Sequence, residues 1–186
     1  PRKSITMRTL SQIMWILLLC LLSCTKDEFE KVWFSGPKNE VVKIWVDGIY
    51  TYKPYDSLGH FNVTHPLGPV FKVSKIYRVS GSDNVVGEID ESKSFLDVTS
   101  TAIRIDLGGI DLTYLITIYD KSGNKVVMRG EGIIYFHNEG WLRQNYVGGI
   151  GKFDGITGWS STFIVTNQDT GIHTVTVKEG QATYRK

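Results

Sequence analysis

The chain of 186 residues has only two cysteines, Cys20 and Cys24. Everything beyond them lacks a thiol, which excludes a disulfide, a cysteine metal site and a cysteine nucleophile there. Charge of either sign is not in excess. The 21 basic and 19 acidic residues leave a formal net charge of +2, with no basic stripe to track a phosphate backbone, so no nucleic-acid partner is expected. The longest apolar run, "IMWILLLCLL" at 13–22, is too short to span a bilayer comfortably. No G-x-S-x-G stretch offers a serine nucleophile on a strand-to-helix turn. The four histidines, His60, His65, His137 and His173, are scattered; the five-residue spacing of the first two is neither a helical nor a strand ligand pair. No metal and no cofactor is expected. After Cys24 there is no helical apolar stripe of ordinary length, no internal repeat and no interdomain linker.

What is present begins with a secretory pattern. Arg8 precedes the apolar run, the run ends in "LLSC" at 21–24, and Met7 is a candidate start. This ending resembles a bacterial lipobox. The small Ser23 gives a peptidase access, and acyl chains on Cys24 then anchor the protein to a membrane. The alternatives are an ordinary signal peptide or an uncleaved anchor. The expected organisation is a signal over 1–23, a lipidated tether over 24–39 and a folded domain over 40–186. Arg2, Lys3 and Arg8 account for three of the 21 basic residues, leaving 18 against 19 acidic ones, so the mature charge is near −1. The segment "TKDEFEK" after Cys24 reads as a solvated tether or as a surface-export signal. Thr25 is not the aspartate that marks inner-membrane retention, so the expected location is the cell envelope at the outer membrane.

From about residue 40 the pattern is β. "VVKIWVDGIYTY" sets Val42, Ile44 and Val46 against Lys43, Trp45 and Asp47, and "TAIRIDL" alternates Ile103, Ile105 and Leu107 with Arg104 and Asp106. "DLTYLITIYD" and "KVVMRGEGIIYFHNEGW", joined by "DKSGNK" with Gly123 and Asn124 at its tip, predict a hairpin. Further strands are predicted at 70–79, 84–89, 160–166 and 173–178, about eight in all. Residues 92–96 are assigned to a short helix or turn, and the turn-rich "KPYDSLGHFNVTHPLGP" to a long loop.

The stretch "NYVGGIGKFDGITG" at 145–158 packs five glycines into fourteen positions. A Walker loop would need glycine at 146 and Ser or Thr at 153, where Tyr146 and Phe153 stand. A dinucleotide fingerprint would need glycine where Asp154 stands. Strands continue on both sides, so these glycines read as the bends and close approaches of a closing sheet, with a tight turn near Asp154 and Gly155.

Together with "VVMRGEGIIYF", this stretch resembles the hallmark of the allene oxide cyclase and dirigent barrel superfamily. The resemblance is carried by Val147, Gly148, Gly149, Gly151, Phe153, Gly155 and Gly158, and it is convincing over 125–164. It implies an all-β fold: an eight-stranded antiparallel barrel with an apolar interior, whose motif glycines shape the wall rather than touch substrate. Family members hold a fatty-acid-derived epoxide for ring closure or steer the coupling of phenoxy radicals. The cyclase glutamate of the first strand would fall near Asp47. Its asparagine, proline and tyrosine partners have no counterparts that can be placed.

Two phases are open for residues 125–137. If Arg129, Glu131, Ile133, Tyr135 and His137 face inward, Arg129, Glu131 and Tyr135 form a polar anchor in an apolar cavity, with the Glu131 carboxyl raised. If Met128, Gly130, Gly132, Ile134 and Phe136 face inward, those charges are a solvated outer face, the expected arrangement because charged side chains are rarely buried unpaired. The catalytic candidates are Asp47 and Glu131, and the ligand-binding candidates Arg129, Tyr135 and Trp141. Trp45, Trp141 and Trp159 offer rings for stacking or for packing; packing is expected for Trp45 and both readings stay open for the others. The expected activity is binding of a small apolar or amphipathic ligand. An isomerase or cyclase, and a structural or interaction protein with a filled barrel, are the alternatives.

Overall fold

The structure is a computed structural model, and it describes residues 41–55, 59–64 and 70–185. The expected signal, Cys24, the tether and His65 lie outside the described residues. Twelve strands follow in order: β1 (Val41–Trp45), β2 (Gly48–Pro54), β3 (His60–Thr64), β4 (Val70–Ser74), β5 (Ile76–Asp83), β6 (Gly87–Glu88), β7 (Phe95–Arg104), β8 (Gly109–Tyr119), β9 (Lys125–Tyr135), β10 (Glu139–Ile150), β11 (Thr157–Thr166) and β12 (His173–Arg185). Eight of them close a ring in the order β2-β5-β7-β8-β9-β10-β11-β12, with β12 returning to β2 through His173↔Tyr52 to Thr176↔Ile49. Every pairing in the ring is antiparallel. β1 extends the first barrel strand along the far half of β12, from Val41↔Arg185 to Trp45↔Gln181.

Closure imposes one inward phase on every strand. On β8 the inward positions are Ile110, Leu112, Tyr114, Ile116 and Ile118, all buried. The β8–β9 register carries that phase to Ile134, Gly132, Gly130, Met128 and Val126, so the charged set of β9 lies outside. Two glycines in "MRGEG" stand where neighbouring large side chains need room. A Cβ on Gly130 would overlap the Tyr114 ring, and one on Gly132 would come within 2.7 Å of Leu142 Cδ2. Apolar inside and polar outside is the reverse of a bilayer-spanning barrel, whose apolar band faces outward.

The glycine-rich stretch closes one end. It finishes β10, makes a single 3₁₀ turn at Gly151–Phe153 and enters β11. Phe153 and Ile156 are buried as a plug, with Phe153 edge-on to Tyr184 at 5.6 Å. Gly149 lies 2.7 Å from Phe153 Cβ if given a Cβ, and Gly151, Gly155 and Gly158 have φ of +72°, +69° and +136°. Gly148 has neither a close neighbour nor a positive φ, so nothing in the structure requires glycine there. Lys152 reaches Asp120 Oδ2 at 2.9 Å and ties the plug to the β8–β9 turn.

Several expected boundaries move. The predicted 70–79 strand is divided between β4 and β5, because β4 turns away to pair with β3. The expected long loop thus contains β3, the first strand of the β3–β4 hairpin. Residues 84–89 hold the short β6 and a single bridge from Ile89 to Asp120, and the expected short helix or turn is a turn at 91–93, with β7 beginning at Phe95. "KVVMRGEGIIYFHNEGW" is two strands: Asn138, at φ +72°, makes the turn from β9 to β10.

Candidate functional site

The two ends of the barrel differ in chemistry. At the plugged end Asp83 is buried at the last inward position of β5, after Tyr77, Val79 and Gly81. Tyr50 Oη donates to its Oδ2 at 2.6 Å, and the amides of Val85 and Val86 donate to Oδ1. Burial pushes the Asp83 carboxyl up, against the downward pull of Tyr50 and the Val86, Val85 and Gly87 amides. Burial likewise drives the Tyr50, Tyr52, Tyr114 and Tyr146 phenols far upward, so all four stay neutral. Asp83 is therefore a brace: it ties the 83–86 turn to the first barrel strand. It is also the interior acid that sequence reasoning sought at Asp47 or Glu131.

Mid-barrel, the Tyr114 and Tyr146 hydroxyls and Gln144 Oε1 are buried without a hydrogen-bond partner among the described residues. The Gln144 amide donates to Ser160 Oγ at 2.9 Å. Each unpaired atom forgoes a bond that it makes in the unfolded chain, a cost of about 1–3 kcal/mol apiece.

Among the described residues the opposite end is partly open. A cavity of about 90 Å³ is bounded there by Val73, Ile110, Leu112 and Ile134, with Tyr135, Asn138, Thr166 and His173 at its polar margin. A gap of about 20 Å³ lies under it, between Tyr52, Leu142, Ile164 and His173. His173 is the chemical centre of this end. Its ring packs on Tyr77 at 5.0 Å, and its Nδ1 shares a 2.8 Å hydrogen bond with Thr166 Oγ1. Burial lowers its pKa to about 4, so the ring is neutral at physiological pH. Nε2 has no partner among the described residues. It is thus a hydrogen-bonding atom beside an apolar hollow.

The residues singled out from sequence are not brought together. Asp47 is exposed at the break between β1 and β2, where its amide donates to Asn84 Oδ1 at 2.9 Å. Arg129 and Glu131 are exposed on the outer face of β9. Tyr135 borders the open-end cavity and stacks on His137 at 5.3 Å. Trp141 is half exposed on the outer face, edge-on to Phe163 at 5.2 Å. Trp45, expected to pack, is 72% exposed, because the β1–β12 register puts Ile44 on the inner side instead. Asp83, Tyr50, Tyr146 and the His173–Thr166 pair went unnoticed. The one signal for Asp83 was its inward phase in "IYRVSGSD". Among the described residues no group of acidic, histidine or cysteine side chains could hold a metal ion, and no helix is long and apolar enough to cross a membrane.

No protein-family model matches the chain, and no curated relative matches it. Among solved structures it is similar to that of a pterocarpan synthase dirigent protein, at 15% identity and a TM-score of 0.46, over 81% of this chain and 98% of that one.

Proposed function

We propose that this protein is a lipid-anchored barrel of the bacterial cell envelope, held to the outer membrane through acylated Cys24, and that its open end takes the apolar end of a small amphipathic molecule. The observation that carries the binding reading is the pairing of an apolar hollow with the unpartnered Nε2 of a neutral His173. Val73, Ile110 and Ile134 supply dispersion contact and exclude water. His173 and Asn138 offer hydrogen bonds to a hydroxyl or carbonyl at the mouth.

Size limits the ligand. Pockets that enclose a whole drug-sized ligand start at about 300 Å³, and this cavity has about 90 Å³. The site admits a ring or a short alkyl group, with the remainder of the molecule lying outside. A cyclase-type reaction, which folds a whole substrate within the barrel, ranks lower for that reason, and Asp83 is already engaged by three donors. A filled structural barrel is the second reading, favoured by the fully buried Tyr50, Tyr52, Tyr114, Met128 and Leu142 that occupy the interior.

The test is native mass spectrometry of the full chain purified from its own host, with extraction of co-purifying molecules, beside an Ile134→Trp variant that fills the hollow. A stoichiometric amphipathic molecule present in wild type and lost in the variant supports the reading. A protein that stays empty after challenge with fatty acids and phenolics moves the assignment to the filled barrel.

A further inference from the structure

The outer face of the barrel carries a second polar concavity, far larger than the hollow at the open end. A trough of about 450 Å³ is lined by Thr99, Thr113, Arg129, Glu131, Arg143 and Asn145. It continues past Thr113 and Glu131 toward Ile133 as a further hollow of about 380 Å³. Its origin is local. The register shift between Val98 and Ser100 leaves Thr99 and Ser100 both exposed, and each shares a hydrogen bond with Thr113 Oγ1, at 2.8 and 2.7 Å.

The charges in the trough are not spent on one another. Arg143 is directly opposite Glu131 in the β9–β10 ladder. Yet among the described residues no ion pair engages Arg129, Glu131 or Arg143. Donor-only guanidiniums, an acceptor-only carboxylate, two hydroxyls and an amide therefore share one open surface.

The ladders extend this surface into an aromatic row. Arg129 pairs with Asn145, Asn145 with Trp159, Trp159 with Gln181, and Gln181 with Trp45. Paired residues project to the same side, so this is one line across five strands of the outer face. At about 4.8 Å per strand, Trp45 and Trp159 stand about 10 Å apart on a line that leads into the trough. The Arg143 guanidinium lies over the Trp159 ring at 5.8 Å and joins the two parts.

The occupant has to match both halves. A polyanion would meet Glu131 in the middle of the trough. An apolar partner would strand two guanidiniums. A molecule with hydroxyls on its edges and C–H groups on its faces satisfies every element: rings lie flat on the indoles, and hydroxyls accept from arginine and donate to glutamate. We infer that this face binds a neutral oligosaccharide laid across the strands, with Trp45 and Trp159 as stacking platforms and Arg129, Glu131, Arg143 and Asn145 as hydroxyl partners. This inference does not depend on the open-end site.

Affinity electrophoresis of the full chain in mild detergent, through gels containing neutral β-glucan, xylan or galactomannan, or acidic polygalacturonate, tests it. Retardation by at least one neutral polysaccharide is expected. Trp45→Ala and Arg129→Ala, both at exposed positions, are expected to weaken it about tenfold each, the scale of one lost aromatic or charged contact, with an unchanged thermal midpoint. Four results would each overturn the inference. No neutral polysaccharide retards the wild type; retardation survives both substitutions; only polygalacturonate retards it, and high salt abolishes the effect; or wild type is an oligomer that Trp45→Ala makes monomeric without any loss of retardation by sugar, which marks the row as an interface between copies.

Discussion

His173 makes stability depend on pH in a direction and over a range that can be stated beforehand. Its ring is buried against Tyr77, and among the described residues no acidic group compensates a positive charge there; desolvation lowers the folded-state pKa to about 4. An unfolded histidine titrates near 6.5. Between these values the unfolded chain binds the extra proton and the folded chain does not, so stability falls as pH drops from about 6.5 to about 4, then levels off once both states are protonated. The full difference of about 2.5 pKa units corresponds to about 3 kcal/mol, of which about 2.5 kcal/mol is lost by pH 4.5. Asp83 works the other way. Its raised carboxyl holds a proton longer in the folded state, so its contribution is present at low pH and is lost as pH rises through the folded value. The two are separated by comparison with His173→Gln, which keeps a hydrogen-bonding partner for Thr166 but does not titrate. Urea unfolding followed by tryptophan fluorescence at pH 7.5, 6, 5 and 4.5 gives the stability difference between the proteins, and Asp83 cancels in it. That difference should shift by about 2–3 kcal/mol toward the variant as the pH falls. Parallel pH profiles would show that His173 is protonated within the fold, and the neutral-imidazole account of the open end would then fail.

Other substitutions separate space, strain and anchoring. Gly149→Ala forces a Cβ against Phe153 in the plug and should cost about 1–3 kcal/mol, whereas Gly148→Ala, one residue earlier in open space, should change the unfolding free energy measured in urea by less than about 0.5 kcal/mol. Equal effects would remove the close-approach explanation of the motif. Asp83→Ala strips the acceptor from two amides and Tyr50 and should cost about 2–4 kcal/mol, while Asp83→Asn retains the acceptor oxygen and should stay within about 1 kcal/mol of wild type at neutral pH. Calorimetry showing the Asn variant as unstable as the Ala variant would mean that the charge itself is required. Cys24→Ala should move the protein from the membrane to the soluble fraction; a pellet that retains it at high salt would show that something other than acyl chains holds it.

The fold was legible where local alternation and closure agree. The β8–β9 hairpin was legible because both runs are long and are joined by a tight turn in which Gly123 has φ +85°. The motif glycines read as architecture because the phosphate signatures fail at named positions, Tyr146 and Asp154; the structure gives a close approach or a positive φ at Gly149, Gly151, Gly155 and Gly158 and neither at Gly148. Asn138 misled, because a non-glycine residue at positive φ carries no turn signal as strong as Gly123 does, and two strands merged into one. The site resisted for a different reason. Tyr50 meets Asp83 from 33 residues away, and nothing local joins them until β2 and β5 are known to pair. His173 pairs with Tyr52 only because the last strand returns to the first. Such contacts depend on ring closure, which no window of sequence encodes.

Closure also decides how the two faces share the work. With every inward position committed to one packed phase, large side chains such as Tyr114 fit only because glycine stands beside them, and little volume is left inside for a ligand. The outward phase has no such constraint. It can hold uncompensated Arg129, Glu131 and Arg143 in water at small cost and align them with Trp159 and Trp45 simply by strand register. A barrel of this size that packs its interior thus has more room for recognition on its wall than within it. The two binding assignments therefore stand or fall separately: Ile134→Trp should abolish the first without touching the second, and Trp45→Ala should weaken the second about tenfold without touching the first.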